Sequence, residues 1–171
     1  MGAIRGMMAT SLDGFAADAS GGVGWLAPFE AVDWGYGDFI AEIGTVVLGR
    51  RTYEQLPSLA PEWPYPGQAG IVVGQVSPPL WGGASRWEGD LPALAQVLRA
   101  QPKDAWIVGG PMLQGAFLTL GLMDRLQLCV VPHLLGQGVR LFPETPPARV
   151  PQLTGVQTLP MGMVMLDYRF T

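Results

Sequence analysis

One cysteine, one histidine and the lack of any basic run set the first limits on this chain. Cys129 alone excludes an internal disulfide and a cysteine cluster around a metal. His133 alone excludes a multi-histidine zinc site, so no metal is expected. Charged residues make up only 14% of the sequence, and the formal net charge is −4. Without a basic stripe there is nothing to grip a nucleic-acid backbone. No apolar run approaches the roughly twenty residues of a membrane span, and the first residues lack a signal-peptide pattern. Met1-Gly2 opens like a myristoylation site, but Gly6 stands where that pattern needs Ser or Thr. The expectation is a cytoplasmic chain with neither nucleic acid nor membrane as partner.

What is abundant is apolar. Hydrophobic residues reach 49% and the mean hydropathy is +0.25. Such a chain folds, and 171 residues suffice for one cored domain spanning 1–171. So little charge leaves apolar surface to cover. A symmetric homodimer is therefore expected, together with a large ligand cleft.

Short apolar runs alternate with helical spacings. Strands are expected over 3–10, 45–48, 69–73, 105–108 and 126–131, with a short edge strand within 81–87. Helices are expected over 50–56, 91–98 and 111–118, the last opened by proline. A further helix is expected from Pro28, where Phe29, Val32, Tyr36, Phe39, Ile40 and Ile43 fall at helical spacing, with loop as the alternative for its first half because of Gly35 and Gly37. Residues 16–24 read as loop. The tail reads as two strands, 152–159 and 163–170, around a Pro160-Met161-Gly162 turn. This pattern predicts an α/β fold with a mostly parallel sheet and an antiparallel C-terminal strand pair.

Two strand ends run into glycine and then a helix start: Val46-Val47-Leu48-Gly49-Arg50-Arg51-Thr52 and Trp106-Ile107-Val108-Gly109-Gly110-Pro111. Glycine lets the N–H groups of the next helix approach an anion closely. Two such junctions can hold two parts of one phosphate-bearing ligand. The arginines suit a phosphate monoester, since the guanidinium fork matches its oxygens. Together they point to a nucleotide cofactor, at the carboxyl ends of the strands where α/β sheets bind ligands.

These residues also carry a resemblance. Ser11-Leu12-Asp13-Gly14, Gly49-Arg50-Arg51-Thr52-Tyr53-Glu54, Val108-Gly109-Gly110-Pro111, Gly121-Leu122-Met123-Asp124-Arg125-Leu126, Pro132-His133-Leu134-Leu135-Gly136-Gln137-Gly138 and Leu141-Phe142-Pro143 occur in this order. Together they resemble the dihydrofolate reductase-like superfamily, in the branch of the C-terminal reductase domain of the bifunctional riboflavin biosynthesis protein. The resemblance implies a three-layer fold, a homodimer and NADPH as cofactor. It implies reduction of 5-amino-6-(5-phosphoribosylamino)uracil, with a pterin or other small heterocycle as the alternative substrate. A nucleotide-binding dimer that has lost the chemistry is the alternative outside enzymes. The branch usually carries a His-x-Leu-Arg stretch before the strand leading to the cofactor; here that region reads Asp38-Phe39-Ile40-Ala41.

Carried over residue by residue, the resemblance places Gly49, Arg50, Arg51 and Thr52 around the cofactor. Gly109 and Gly110 meet its pyrophosphate and nicotinamide side, with Met112 and Leu113 behind. Ser77 or Gln75, in the loop after Gly74, reaches the adenosine half. In dihydrofolate reductases the proton donor is an acid on the helix before the Gly-Arg-x-Thr strand. The resemblance thus implies Asp33 as the catalytic acid, sixteen residues before Gly49. At about 100° per residue, Asp33 would border the buried stripe at roughly 70° from its centre and Glu30 would lie at roughly 130°. Counting forward from Trp25 selects Glu30 instead, and both counts stay open. Asp13 is a candidate substrate contact, with an Asx turn before Gly14 as the alternative. Trp25 is a candidate wall of the substrate cleft. Cys129 reads as an inert buried thiol.

Overall fold

The computed structural model describes residues 1–142 and 148–171; Pro143 of the Leu141-Phe142-Pro143 motif lies outside the described residues. The apolar runs form β1 (Ile4–Ser11), β3 (Ile43–Gly49), β4 (Ala69–Val73), β5 (Ser85–Trp87), β6 (Asp104–Gly109) and β7 (Arg125–Val131). These six are mutually parallel along one sheet. The tail supplies β9 (Gln152–Thr158) and β10 (Val164–Arg169), and β10 pairs antiparallel with both β7 and β9. The strand order is β5-β4-β3-β6-β1-β7-β10-β9.

Helices lie on both faces, which is why the central strands read as unbroken apolar runs. On one face Val46, Leu48, Trp106, Cys129 and Val131 pack with Phe39 and Leu56, from α1 (Tyr36–Glu42) and α2 (Arg50–Leu59). On the other, Ile4, Val47 and Ile107 pack with Leu94 and Leu98 of α3 (Leu91–Arg99) and Phe117 of α4 (Pro111–Thr119). Asp90 caps α3 by accepting from the Ala93 N–H at 2.7 Å. This is the three-layer α/β architecture the sequence predicts, with its antiparallel C-terminal pair.

Two stretches depart from regular expectation. Of the stretch expected as helix from Pro28 to Ile43, only α1 is regular helix; the first half, which Gly35 and Gly37 left open as loop, is a 3₁₀ turn at Gly24–Phe29 and an irregular stretch. Gly35 adopts φ 88° at the N-cap of α1, and the Asp33 carboxylate accepts the Gly35 N–H at 2.8 Å. That local turn replaces helix, and Ile43 already belongs to β3. The second is the stretch read as loop over 16–24. There β2 (Phe15–Ala17) pairs with β8 (Val139–Arg140) as a small antiparallel ribbon. Strands of three and two residues carry no readable periodicity.

Candidate active site

β3 and β6 are neighbouring parallel strands, with Leu48 opposite Gly109, so their two helix starts converge. Gly49 is the N-cap of α2 and Gly110 that of α4, and neither helix has a side-chain cap. The first-turn N–H groups of both helices thus face the same space without side-chain acceptors. The glycines let the two junctions sit close together. A Cβ on Gly49 would stand 3.4 Å from the Gly109 carbonyl oxygen, and one on Gly110 3.3 Å from Thr52 Oγ1.

The convergence opens into a cleft of about 510 Å³. Gly49, Arg50, Arg51, Thr52, Gly110, Met112 and Leu113 all line it, as the sequence implied for them. Ala17, Gly21 and Val139, at and beside the β2–β8 ribbon, line it too. Gln55, one turn into α2, also lines it; the helical spacing after Arg51 is the signal that points to it. The Arg50 guanidinium is half exposed and only 4.0 Å from Glu54, so it stays available to an anion. The uncapped helix starts, the two arginines and the space at Gly110 fit a dinucleotide carrying a phosphate monoester; Gly109 itself does not line the cleft. Ser77 is exposed and does not line this cleft.

A second cavity, of about 260 Å³, lies against the middle of the sheet. Met7 and Ala9 of β1, Cys129 and Val131 of β7, and Met163 form its floor. Leu26, Phe29, Glu30, Val32 and Trp34 wall it from the 3₁₀ turn and the stretch beyond. Burial pushes the Cys129 thiol up, so it meets the cavity uncharged. The inert thiol of the sequence reading is therefore part of a cavity wall. β1 lies between β6 and β7, with Gly6 opposite Ile107 and Ala9 opposite Cys129. The floor of the second cavity thus adjoins the Gly109 end of β6 across one strand spacing, about 5 Å.

Glu30 is the one charged residue lining this cavity, and Asp33 is not among its lining residues. Asp33 is exposed in irregular chain, with its carboxylate turned to Gly35. Asp13 lines neither cleft. Its carboxylate accepts from the Ser11 hydroxyl at 2.6 Å and from the N–H groups of Leu135 at 3.1 Å and Gly136 at 2.7 Å. The Ser11 hydroxyl first, and the backbone donors after it, hold the carboxyl down at about 2. Asp13 therefore locks the β1 exit loop to the loop after β7. Trp25, expected as a cleft wall, is buried and lines neither cavity; its ring centroid is 5.8 Å from that of His133 and its indole N–H has no partner among the described residues. Among the described residues no cluster of three metal-ligating side chains exists, and no helix is long and apolar enough to cross a membrane.

Comparison with known proteins gives the same frame. Residues 87–165 match the RibD C-terminal domain family. The chain is 35% identical over 141 residues to the uncharacterized protein YwjB of Bacillus subtilis (strain 168), covering 80% of each chain. Among solved structures, a Shewanella sp. PV-4 protein named for riboflavin biosynthesis is 25% identical with a TM-score of 0.87, and 98% of each chain is covered. A dihydrofolate reductase from Enterococcus faecalis, complexed with NADP(H), shares the fold at a TM-score of 0.71 and 17% identity, over 98% of this chain and 95% of that one. With its helix starts, its sheet order and these relatives in agreement, the chain belongs to the RibD C-terminal domain family, built on the dihydrofolate reductase-like fold.

Proposed function

We propose that this chain is an NADPH-dependent reductase of a small ring compound, working as a cytoplasmic homodimer. One observation carries the reading: two uncapped helix starts and two arginines share a cleft that adjoins a cavity with a single carboxylate. In this reading the helix starts of α2 and α4 hold the pyrophosphate, and Arg50 or Arg51 holds the 2′-phosphate of the adenosine. Bound there, NADPH supplies a hydride from its nicotinamide. Met112 and Leu113 cover the cofactor's apolar side.

The substrate ring lies in the second cavity, flat between the thioethers of Met7 and Met163 and the ring of Phe29. Hydride addition to a C=N or C=O carbon leaves negative charge on the neighbouring nitrogen or oxygen, which takes up one proton. Glu30 delivers that proton, directly or through a water it orients. It takes the role the sequence count offered to Asp33, because Glu30 lines the cavity while the Asp33 carboxylate serves Gly35.

Titration with NADPH and, in parallel, NADH, followed by tryptophan fluorescence, tests the cofactor. Tighter NADPH binding is expected, and binding of neither would sink the reductase reading. Substrate-dependent NADPH oxidation tests the chemistry, with the aminouracil compound and dihydropterins screened first. Glu30→Gln should lower turnover about 10²–10⁴-fold with NADPH affinity unchanged, and Asp33→Asn should keep full turnover. Binding without turnover of any ring compound would leave a nucleotide-binding protein.

A further inference from the structure

Resting on that reductase reading, we infer that Gln114 is a positioning residue of the hydride step: its buried amide fixes how far the strand under the substrate lies from the strand that leads to the cofactor. β1 and β6 pair through Ile4–Ala105, Arg5–Trp106 and Gly6–Ile107, and no further. Past that point each strand is held on its other side alone. β1 stays paired with β7 as far as Ser11 opposite Val131, and β6 stays paired with β3 as far as Gly109 opposite Leu48. The sheet therefore parts between its two central strands at the level where the two sites begin. Met7 and Ala9, past the parting on β1, floor the second cavity. Gly109, past it on β6, runs into Gly110 and the cofactor cleft.

One side chain spans the parting. Gln114 stands in α4, one turn after the Gly110 N-cap and next to Leu113, which lines the cofactor cleft. It is 2% exposed, the one polar side chain among the buried residues of that helix. Its Nε2 donates to the Ile107 carbonyl on β6 at 2.9 Å and to the Met7 carbonyl on β1 at 3.4 Å. Gly6 makes the room, since a Cβ there would stand 2.9 Å from Gln114 Oε1. Packing alone does not call for an amide at this place, where the helix neighbours are Leu113, Phe117 and Leu118 and a buried amide costs desolvation.

Gln114 lines neither cavity, so it acts through the two strands. Hydride transfer depends steeply on the distance between donor and acceptor, and about 1 Å of misplacement costs on the order of 10²-fold in rate. The amide ties both strands to one turn of the helix that starts at the cofactor cleft, and so holds that distance. Without it, two buried carbonyls are left unpaired across the parting, and the strands would shift to let water reach them.

The test is single-turnover oxidation of enzyme-bound NADPH by the aminouracil compound or the dihydropterin that supports turnover, in wild type, Gln114→Leu and Gly6→Ala. The first variant removes the donors; the second keeps them and displaces the amide. NADPH deuterated at the transferred position marks the hydride phase as the one that slows. The rate constant of that phase should fall about ten- to a hundredfold in both variants, with NADPH affinity within about twofold of wild type. Amplitude reports the fraction of folded enzyme, so a merely structural residue would lower the amplitude and leave the rate constant at its wild-type value. That result overturns the inference, as does a comparable loss of NADPH affinity in both variants. If Gln114→Leu does not fold, Gly6→Ala decides. A wild-type protein that oxidises NADPH with none of these compounds defeats the reductase reading itself, and the inference falls with it.

Discussion

Asp13 joins two loops with one carboxylate, and its chemistry has a pH signature. Its carboxyl titrates at about 2, below the ordinary 3.8, because the Ser11 hydroxyl and backbone donors favour the ionised form. A depressed folded value means that the stabilisation is complete above 3.8 and is lost as pH falls toward 2. The Leu135 and Gly136 amide resonances should therefore hold steady down to about pH 4 and shift with a midpoint near 2. A midpoint at 3.8 would mean that the carboxylate is free. Gln114 is a second residue of this kind. The β1–β6 ladder ends at the Gly6–Ile107 pair, and beyond it the buried Gln114 amide donates to the Ile107 carbonyl at 2.9 Å and the Met7 carbonyl at 3.4 Å. Gln114→Leu leaves both carbonyls unpaired and should cost about 1–3 kcal/mol in urea unfolding. A single amide among Leu113, Phe117 and Leu118 was its only mark in the sequence. Glu30 and Asp33 could not be told apart there, because which carboxylate faces a cavity depends on a turn that no periodicity announces.

At the scale of elements, legibility followed periodicity and burial. β3, β6 and the C-terminal pair were readable because a central strand between helices is apolar throughout and an edge pair is bounded by turn residues. The stripe from Phe29 to Ile43 misled for a physical reason. Phe29, Val32, Phe39 and Ile43 do enter one core cluster, but they reach it from a 3₁₀ turn, irregular chain, helix and strand in succession. Burial was right and its periodic cause was wrong. The cleft position of the Gly49 helix start was legible from its glycine and arginines, whereas the division of labour between those two arginines was not, since both line the cleft. Losing one charge-assisted bond to the 2′-phosphate costs about 1.5–3 kcal/mol, or roughly ten- to a hundredfold in affinity. Of Arg50→Ala and Arg51→Ala, one should lose that much NADPH affinity with NADH affinity unchanged, and the other should lose little. Parallel fluorescence titrations of the two variants decide which. Equal losses for both cofactors would mean that the arginines serve the pyrophosphate.

The molecule as a whole ends in two unlike edges. β5 is three residues long and carries the Arg86–Glu88 pair, features that blunt an edge strand. β9 is seven residues long and has no such guard. Its pairing with β10 slips between Asp167 and Tyr168, so Leu153 stands opposite Tyr168 and Val156 opposite Leu166. That bulge brings Leu153 and Val156 to one face although their spacing is odd. Leu126 and Leu128 continue the same two rows on β7, giving Leu126-Tyr168-Leu153 and Leu128-Leu166-Val156 across three strands. Beside the rows runs a groove of about 480 Å³ that includes Phe142 and Phe170. Leu153 and Val156 remain 49% and 59% exposed, which makes this a contiguous face of apolar surface open to be covered. A two-fold axis through it would bury both rows against themselves. Light scattering should then give twice the 18.3 kDa chain mass. The double substitution Leu153→Asp with Val156→Asp should give the monomer mass with the circular dichroism spectrum unchanged. A double variant that stays dimeric would move the contact to another face, and a wild-type monomer would remove it.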